Sequence, residues 1–369
     1  HVAHRLQRAA MLGPDRIGVV KGQARDGCQA DRALFTLRVG LETHGKARAE
    51  TMAFVEFPYF PRGFAERPIG GHLLRLSPGA RAYIVQRPER HRCIQVETVI
   101  EEGPDCRLEL MGKRVGVAWI HSACGVCARC AEGRENLCPK FKATGRDAPG
   151  GYAEFMTISE QFAHPIPGQL DDCKTTPLLC AGAVGYRSLV LCELENGETL
   201  GLTGFGASGH LVLQMARHLN PDSAVYVFAR SEKERRFALE LGADWAGDTS
   251  DTPPSPADAI IDTTPAWLPV LAALEALAPG GRLVVNAIRK EADDREQLGE
   301  LDYDRHLWRE KSLRTVANVT RRDVRACLEL AVDIPLCPAI SCYPLEQANR
   351  ALIELKRGGL RGAKVLTLD

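Results

Sequence analysis

The sequence carries no surplus of charge of either sign, since 47 lysines and arginines face 47 aspartates and glutamates across 369 residues. A balanced chain offers neither a basic footprint for nucleic acid nor a cationic face for an anionic membrane, so neither partner is expected. Long apolar runs are missing too: LVVNAI (283–288) is among the longest, far short of the ~20 residues a bilayer span needs. No charged-then-apolar leader opens the chain. It begins at His1 without a methionine, so its true start is expected upstream. What is present is ordinary for a globular protein, and the length predicts two domains. Thirteen cysteines, an odd number, read as reduced thiols and metal ligands of a cytoplasmic protein, not as a disulfide scaffold.

Sequence quality is uneven. Residues 1–97 hold 14 arginines against two lysines, and five of the ten histidines. Periodicity there is poor, and AFVEF (53–57) and AYIVQ (82–86) are the strand candidates. Two readings stand side by side, a divergent domain and a frame-shifted stretch of a GC-rich gene. From about residue 98 onward, turn residues separate apolar segments of regular length.

CGVCARCAEGRENLC (124–138) spaces its thiols as Cys124-x2-Cys127-x2-Cys130-x7-Cys138. Small and turn-forming residues between them let a short loop fold back and aim four sulfurs at one point. Thiolates bind zinc at ~2.3 Å, and four of them close a tetrahedral shell with no position left for water or substrate. Such a site is structural, and its binding energy, on the order of 10 kcal/mol in small zinc domains, orders the loop. Free or oxidised thiols and an iron–sulfur cluster are the rival readings.

ETLGLTGFGASGHLVLQMARHLNP (198–221) runs from a short apolar segment through Gly204-x-Gly206-x-x-Gly209 into a helical pattern with Leu211, Met215 and Leu219 on one stripe. In a dinucleotide site these glycines supply a tight turn, a close backbone approach to pyrophosphate, and helix-to-strand contact. The phosphate then lies at a helix N-terminus, where amide hydrogens lack partners. Strand and helix keep alternating: strands at 224–230, 257–264 and 282–288, helices at 231–243 and 267–281, the last ended by Pro-Gly-Gly. The pattern predicts an α/β fold with a doubly wound parallel sheet. At the end of the second strand stand Arg230 and Ser231, a cation and a hydroxyl suited to a 2′-phosphate, where an acidic residue would favour NAD. NADP is the expected cofactor, with NAD the alternative. Arg235 and Arg236, a turn further on, read equally well as a solvated helix face.

CGVCARCAEGRENLC, GGYAEF (150–155) and LLCAG (178–182) together resemble the zinc-containing alcohol dehydrogenases of the medium-chain dehydrogenase/reductase superfamily. The resemblance covers roughly residues 98–369. It implies a structural zinc on Cys124, Cys127, Cys130 and Cys138. It also implies a GroES-like catalytic domain over 1–165 with the structural zinc lobe, a Rossmann domain over 166–311, and a C-terminal return to the catalytic domain over 312–369. Cys180 matches the cysteine that enters the cofactor domain and ligates a catalytic zinc in that family; the structural alternative is a small buried apolar residue. The family's other two ligands, a cysteine shortly before Thr-Asp and a Gly-His-Glu motif, are not clearly matched. His91 is the candidate second ligand, with IGGH (69–72), Cys93 and Cys28-Gln-Ala-Asp31 as alternatives. Val184 stands where the family often has threonine, and Arg361 or Lys364 is a candidate contact for a cofactor phosphate. His121 reads as a packed or exposed histidine.

The implied activity is reversible hydride transfer between a primary or secondary alcohol and NAD(P), on a small-molecule alcohol or aldehyde, by a homo-oligomer. A zinc-independent, NADPH-dependent reductase of the quinone type, or a catalytically impaired nucleotide-binding protein, are the alternatives.

Overall fold

Short apolar runs closed by turn residues alternate with helical stretches along most of the chain, and the computed structural model arranges them into several sheets. It describes residues 96–103, 105–153, 155–357 and 362–367, together with the backbone of strands at 35–39, 51–55 and 82–86. The chain divides into two units, residues 1–72 and 73–369. In the first, β1 (Phe35–Val39) and β2 (Thr51–Val55) pair antiparallel, from Phe35 opposite Val55 to Val39 opposite Thr51. The strand expected at 53–57 is thus displaced two residues toward the N-terminus.

The second unit opens with β3 (Ala82–Gln86), where a strand was expected, then β4 (Val96–Glu102), β5 (Arg114–Val117), β6 (Ile120–Ser122), β7 (Lys142–Ala143), β8 (Phe155–Ser159) and β9 (Ala163–Pro165). An antiparallel sheet takes the order β8-β3-β4-β5-β9, while β6 and β7 make a separate pair flanking the cysteine segment. Alternation along β8 buries Met156 and Ile158 while Phe155 is exposed, as the period of two requires. With Val99, Val115 and Val117 they form the core of this half.

One helical stretch, Asp172–Cys192, links the halves in sequence. It is built of α1 (Asp172–Pro177), a π-helical turn (Leu178–Gly182) and α2 (Ala183–Cys192). Pro177 has no amide hydrogen to give to the preceding turn, and the next five residues widen to π geometry, a form frequent at functional sites. Asp171 caps the start, its side chain accepting from Lys174 N at 3.0 Å. By length and composition this helix could cross a membrane, which reading individual apolar runs did not reveal. Here 61% of the relevant window is buried inside the fold, as in a core helix.

The remaining elements are β10 (Leu200–Thr203), α3 (Gly209–Leu219), β11 (Val225–Phe228), α4 (Glu232–Glu240), β12 (Trp245–Gly247), β13 (Ala257–Asp262), α5 (Leu268–Ala276), β14 (Leu277–Val285), β15 (Ser312–Thr315), α6 (Arg321–Asp333), β16 (Ile340–Pro344), α7 (Ala348–Arg357) and β17 (Ala363–Thr367). Six of the strands form a parallel sheet in the order β12-β11-β10-β13-β14-β15. β10 and β11 are buried along their whole length, the mark of strands covered on both faces. Strand order reverses between β10 and β13, so the sheet opens a crevice at their carboxyl ends. β16 and β17 form a separate parallel pair.

Two local expectations need correction. The helix predicted over 267–281 ends at Ala276, and Pro279-Gly280-Gly281 lies inside β14 at a register shift against β13. Gly280 has φ +75 there, so Pro-Gly-Gly makes a bulge rather than a helix stop. On α3, Leu219 is 44% exposed, and the buried face is instead broadened by His210, Val212, Leu213 and Ala216. Helices on a doubly wound sheet are covered by neighbours as well as by strands, so a single stripe understates their burial. Among the described cysteines ten are in no disulfide, whereas Cys173 is disulfide-bonded and departs from the expectation of thiols and metal ligands.

Candidate functional site

The cysteine segment turns back on itself through Gly125 and Gly133, both at positive φ, and a one-turn helix over Ala128–Ala131. The sulfurs of Cys124, Cys127, Cys130 and Cys138 all lie within 4.8 Å of one another. Cys124 stands 3.5 Å from Cys138 and 3.9 Å from Cys130. A regular tetrahedron with ~2.3 Å metal–sulfur bonds has its sulfurs about 3.8 Å apart, so the cluster fits a tetrahedral metal. Amides of Cys124 and Lys140 point at the Cys138 sulfur at 3.5 and 3.4 Å, the outer-shell support a thiolate ligand takes. Amides of Val126 and Cys127 hold the Cys124 thiol down at about 6, whereas burial pushes Cys130 up to about 12.

Gly204, Gly206 and Gly209 follow β10 and open α3. Gly204 sits at φ +79, and a Cβ there would meet Thr263 Oγ1 at 2.7 Å and Thr264 Cγ2 at 2.9 Å. Gly209 packs on the Gly204 carbonyl, which a Cβ would approach to 2.6 Å; a Cβ on Gly206 would meet nothing within 4 Å. Two of the three glycines therefore close the turn, and the middle one leaves a space that a bound group can fill. Gly206→Val should leave the melting temperature unchanged while weakening any dinucleotide bound at this turn by about two orders of magnitude. Gly209→Val should instead destabilise the fold by about 1–3 kcal/mol through overpacking. Coenzyme titration beside thermal unfolding separates the two.

A cavity of about 1270 Å³ joins this turn to Cys180, Arg230, Asn136 and Trp119. Cys180 comes from the π-helical turn and is exposed to the cavity, while the protein packed around it pushes the thiol pKa up. Val184 lines the same wall. Arg230 lines the cavity at the end of β11 and is exposed, as is Ser231, the N-cap of α4. Arg235 is otherwise engaged: its guanidinium donates to the Ala229 carbonyl at 2.7 Å and the Arg230 carbonyl at 3.0 Å. Arg236 pairs with Glu232 on the helix face at 3.0 Å. Lys364, a candidate for a cofactor phosphate, is engaged within the fold. It is buried against Glu354 and the Tyr343 hydroxyl, both at 2.5 Å, and against the Tyr343 ring. His91, Cys93, His72, Cys28, Asp31 and Arg361 lie outside the described residues. His121 is half-buried, its Nδ1 without a partner, and burial followed by Lys142 lowers its pKa.

Three features beside the site escaped the sequence reading. Asp262, fully buried at the end of β13, accepts from Thr203 Oγ1 at 2.7 Å and Thr264 Oγ1 at 2.8 Å, and pairs with Lys290. Lys290 Nζ also donates to the Thr264 and Ala266 carbonyls, both at 2.9 Å. An aspartate closing an apolar strand, IIDTT, was the available signal. His210 spans from the Gly206 carbonyl, 2.9 Å from Nδ1, to the Ala339 amide, 3.2 Å from Nε2. Those partners make Nδ1 the donor and Nε2 the acceptor of a neutral imidazole, and burial lowers its pKa. Glu135 and Asn136, between the third and fourth cysteines, fasten the cysteine segment to the 317–321 stretch. Glu135 Oε1 accepts from the Arg321 amide at 2.7 Å and its Nε at 2.9 Å; Asn136 Nδ2 donates to the Ala317 carbonyl at 3.0 Å. Glu135 Oε2 and Asn136 Oδ1 are buried without partners, at a cost of about 1–3 kcal/mol each.

The family model described as "Alcohol dehydrogenase GroES-like domain" matches residues 88–168, and "Zinc-binding dehydrogenase" matches 207–333. A "Probable alcohol dehydrogenase AdhA" of Mycobacterium tuberculosis is 44% identical over 257 residues, 70% of this chain and 72% of the relative. Among solved structures, a cinnamyl alcohol dehydrogenase from Sorghum bicolor aligns with TM-score 0.68 at 22% identity, covering 86% of this chain and 94% of that one. The Helicobacter pylori CAD, complexed with NADP(H), aligns with TM-score 0.67 at 17% identity, covering 91% and 99%. Those two likenesses concern the fold. Identity at the level of the mycobacterial relative reaches further: this chain belongs to the zinc-type medium-chain alcohol dehydrogenase family and is an oxidoreductase of that type.

Proposed function

We propose that the chain is a zinc-dependent alcohol dehydrogenase that exchanges a hydride between a primary or secondary alcohol and NADP, with NAD as the weaker coenzyme. The observation that carries this reading is the shared cavity: the Cys180 thiol and the Gly204–Gly209 turn open onto one space. In this reading residues 1–165 and 312–369 serve the substrate side and 166–311 the coenzyme.

The chain's own contributions follow from its geometry. Gly206 leaves room for pyrophosphate, and α3 begins three residues on, so the positive end of that helix lies beside the space. Arg230 and Ser231 stand where a 2′-phosphate would lie, and among the described residues no ion pair occupies Arg230. Thr203, Asp262 and Lys290 stiffen the floor of the crevice between β10 and β13. Cys180 is one donor for a catalytic zinc, which when bound supplies Lewis acidity toward the substrate oxygen. It is the one cysteine or histidine among the described cavity residues, and His91 is proposed as a partner. The cysteine cluster, with its tetrahedral spacing, is proposed to hold a structural zinc.

Metal analysis with alcohol oxidation tests the reading. Wild type should hold about two zinc ions per chain, one closed and one catalytic. Cys180→Ser should lose one of them and about a thousandfold in kcat/KM. A single zinc in wild type, with NADPH-dependent reduction that survives Cys180→Ser, would replace the reading with the zinc-independent reductase. The solitary thiol among the described cavity residues is the observation that keeps that second reading in view.

A further inference from the structure

The closed cysteine cluster offers a substrate nothing, yet the segment that completes it forms part of the coenzyme cavity. Asn136 lines that cavity, and so do Val316, Ala317 and Asn318, the stretch that leaves β15 and enters α6. Few contacts tie the two together, and they are specific. Asn136 Nδ2 holds the Ala317 carbonyl at 3.0 Å. Glu135, 1% exposed, takes both the Arg321 amide and its Nε on one oxygen. Arg321 then reaches Gln161 at 2.8 Å and lies over the Phe162 ring. Cys138 follows Asn136 by two residues and Cys130 precedes Glu135 by five, so a metal on those sulfurs fixes both ends of the tether.

Arg230 marks the β11 side of the crevice as the adenosine side. The wall at 316–318 lies beyond β15, at the other edge of the sheet, so it borders the nicotinamide half. A wall held from outside by a metal-ordered loop has two states, held and released, and whatever favours one is felt at both sites. The amide of Asn136 has a defined sense: its nitrogen donates to a carbonyl, and its oxygen is left buried and unpaired. That arrangement serves placement of the 317 carbonyl rather than satisfaction of the side chain.

We infer that Glu135 and Asn136 are positioning residues that tie metal occupancy of the cysteine cluster to coenzyme affinity in the cavity. The inference rests on the cavity being a nicotinamide nucleotide site. Nucleotide bound against the held wall tightens the cluster's grip on metal, and loss of the metal lets the wall move and weakens the nucleotide.

The test uses NADPH as probe, on full-length chain carrying Cys180→Ser so that only the cluster metal is counted. Coenzyme affinity is read by nicotinamide fluorescence in metal-loaded and metal-stripped protein, with circular dichroism to confirm folding. Metal release to a competing chromogenic chelator is read at equilibrium, with and without NADPH. Stripping should weaken NADPH about tenfold, and NADPH should tighten the cluster's hold on metal by the same factor, seen as less metal released. Adding Asn136→Ala should weaken NADPH in the metal-loaded state, while stripping then changes affinity less than about twofold. Should stripping unfold the chain, the release measurement and the loaded variant decide. Equal affinity in folded loaded and stripped protein, release indifferent to NADPH, or full coupling surviving Asn136→Ala would each overturn the inference. Absence of affinity for NADPH and NADH in the loaded parent would overturn the nucleotide reading itself, and this inference with it.

Discussion

Replacing Cys130 with serine is expected to empty the cysteine cluster and to open residues 124–138 to trypsin at Arg129 and Arg134. Cys130 is buried, and burial, followed by the neighbouring cysteine thiols, pushes its thiol up to about 12. With a metal it completes the shell, and a hydroxyl in its place is a far poorer ligand for a soft-leaning ion. Small zinc domains draw on the order of 10 kcal/mol from such a site. Here the cluster is one loop of a larger fold with cores of its own, so the cost should be smaller, about 3–5 kcal/mol in denaturant unfolding, with local cleavage preceding global loss. The reading fails if metal content, cleavage rate and unfolding midpoint all match wild type.

Asp262→Ala should be comparably damaging for a different reason. It leaves the Lys290 ammonium, 11% exposed, beside two carbonyls and without its counter-charge, and strands two threonine hydroxyls. Breaking a buried pair from one side costs about 3–5 kcal/mol, or a fall of roughly 10 °C in melting temperature for a chain of this size. Adding Lys290→Met should recover a substantial part, because the penalty belongs to the orphaned charge. If the double variant melts no higher than the single one, the loss comes from the threonine contacts and not from the ion pair. Coenzyme affinity should fall in both, since Thr263 and Thr264 border Gly204.

The parts of this protein that could be read from sequence are those whose chemistry is local. Four cysteines in fifteen residues meet because the loop between them is short and carries the glycines its turns demand. The Gly204–Gly209 turn was legible because its three glycines stand at fixed spacing between one apolar strand and the helix that follows it. Pro-Gly-Gly at 279–281 misled because the same residues that stop a helix also build a bulge, and only the neighbouring strand decides between them. Arg235 and Lys364 illustrate a related limit: a cation near a phosphate site is free only if no closer acceptor claims it, and that is a tertiary fact. Glu135 and Asn136 gave no signal, since their partners lie some 180 residues downstream. The candidate partners of Cys180, His91 among them, fall where periodicity is poorest, so no pattern could rank them.

The π-helical turn that carries Cys180 has a consequence for how this helix can change length. A π turn accommodates one residue more than the α-helical ladder would and absorbs it locally, so the helix beyond keeps the phase it would have with one residue fewer. Excising a residue inside the turn should therefore restore regular winding with Gly185 still facing Val212 of α3, an approach its missing side chain allows. Excising one between the turn and Gly185 should instead swing everything beyond by roughly 100° about the axis and bring a bulkier residue round to that contact. Tolerance for a change in residue count is thus confined to the short stretch Leu178–Gly182 that carries Cys180.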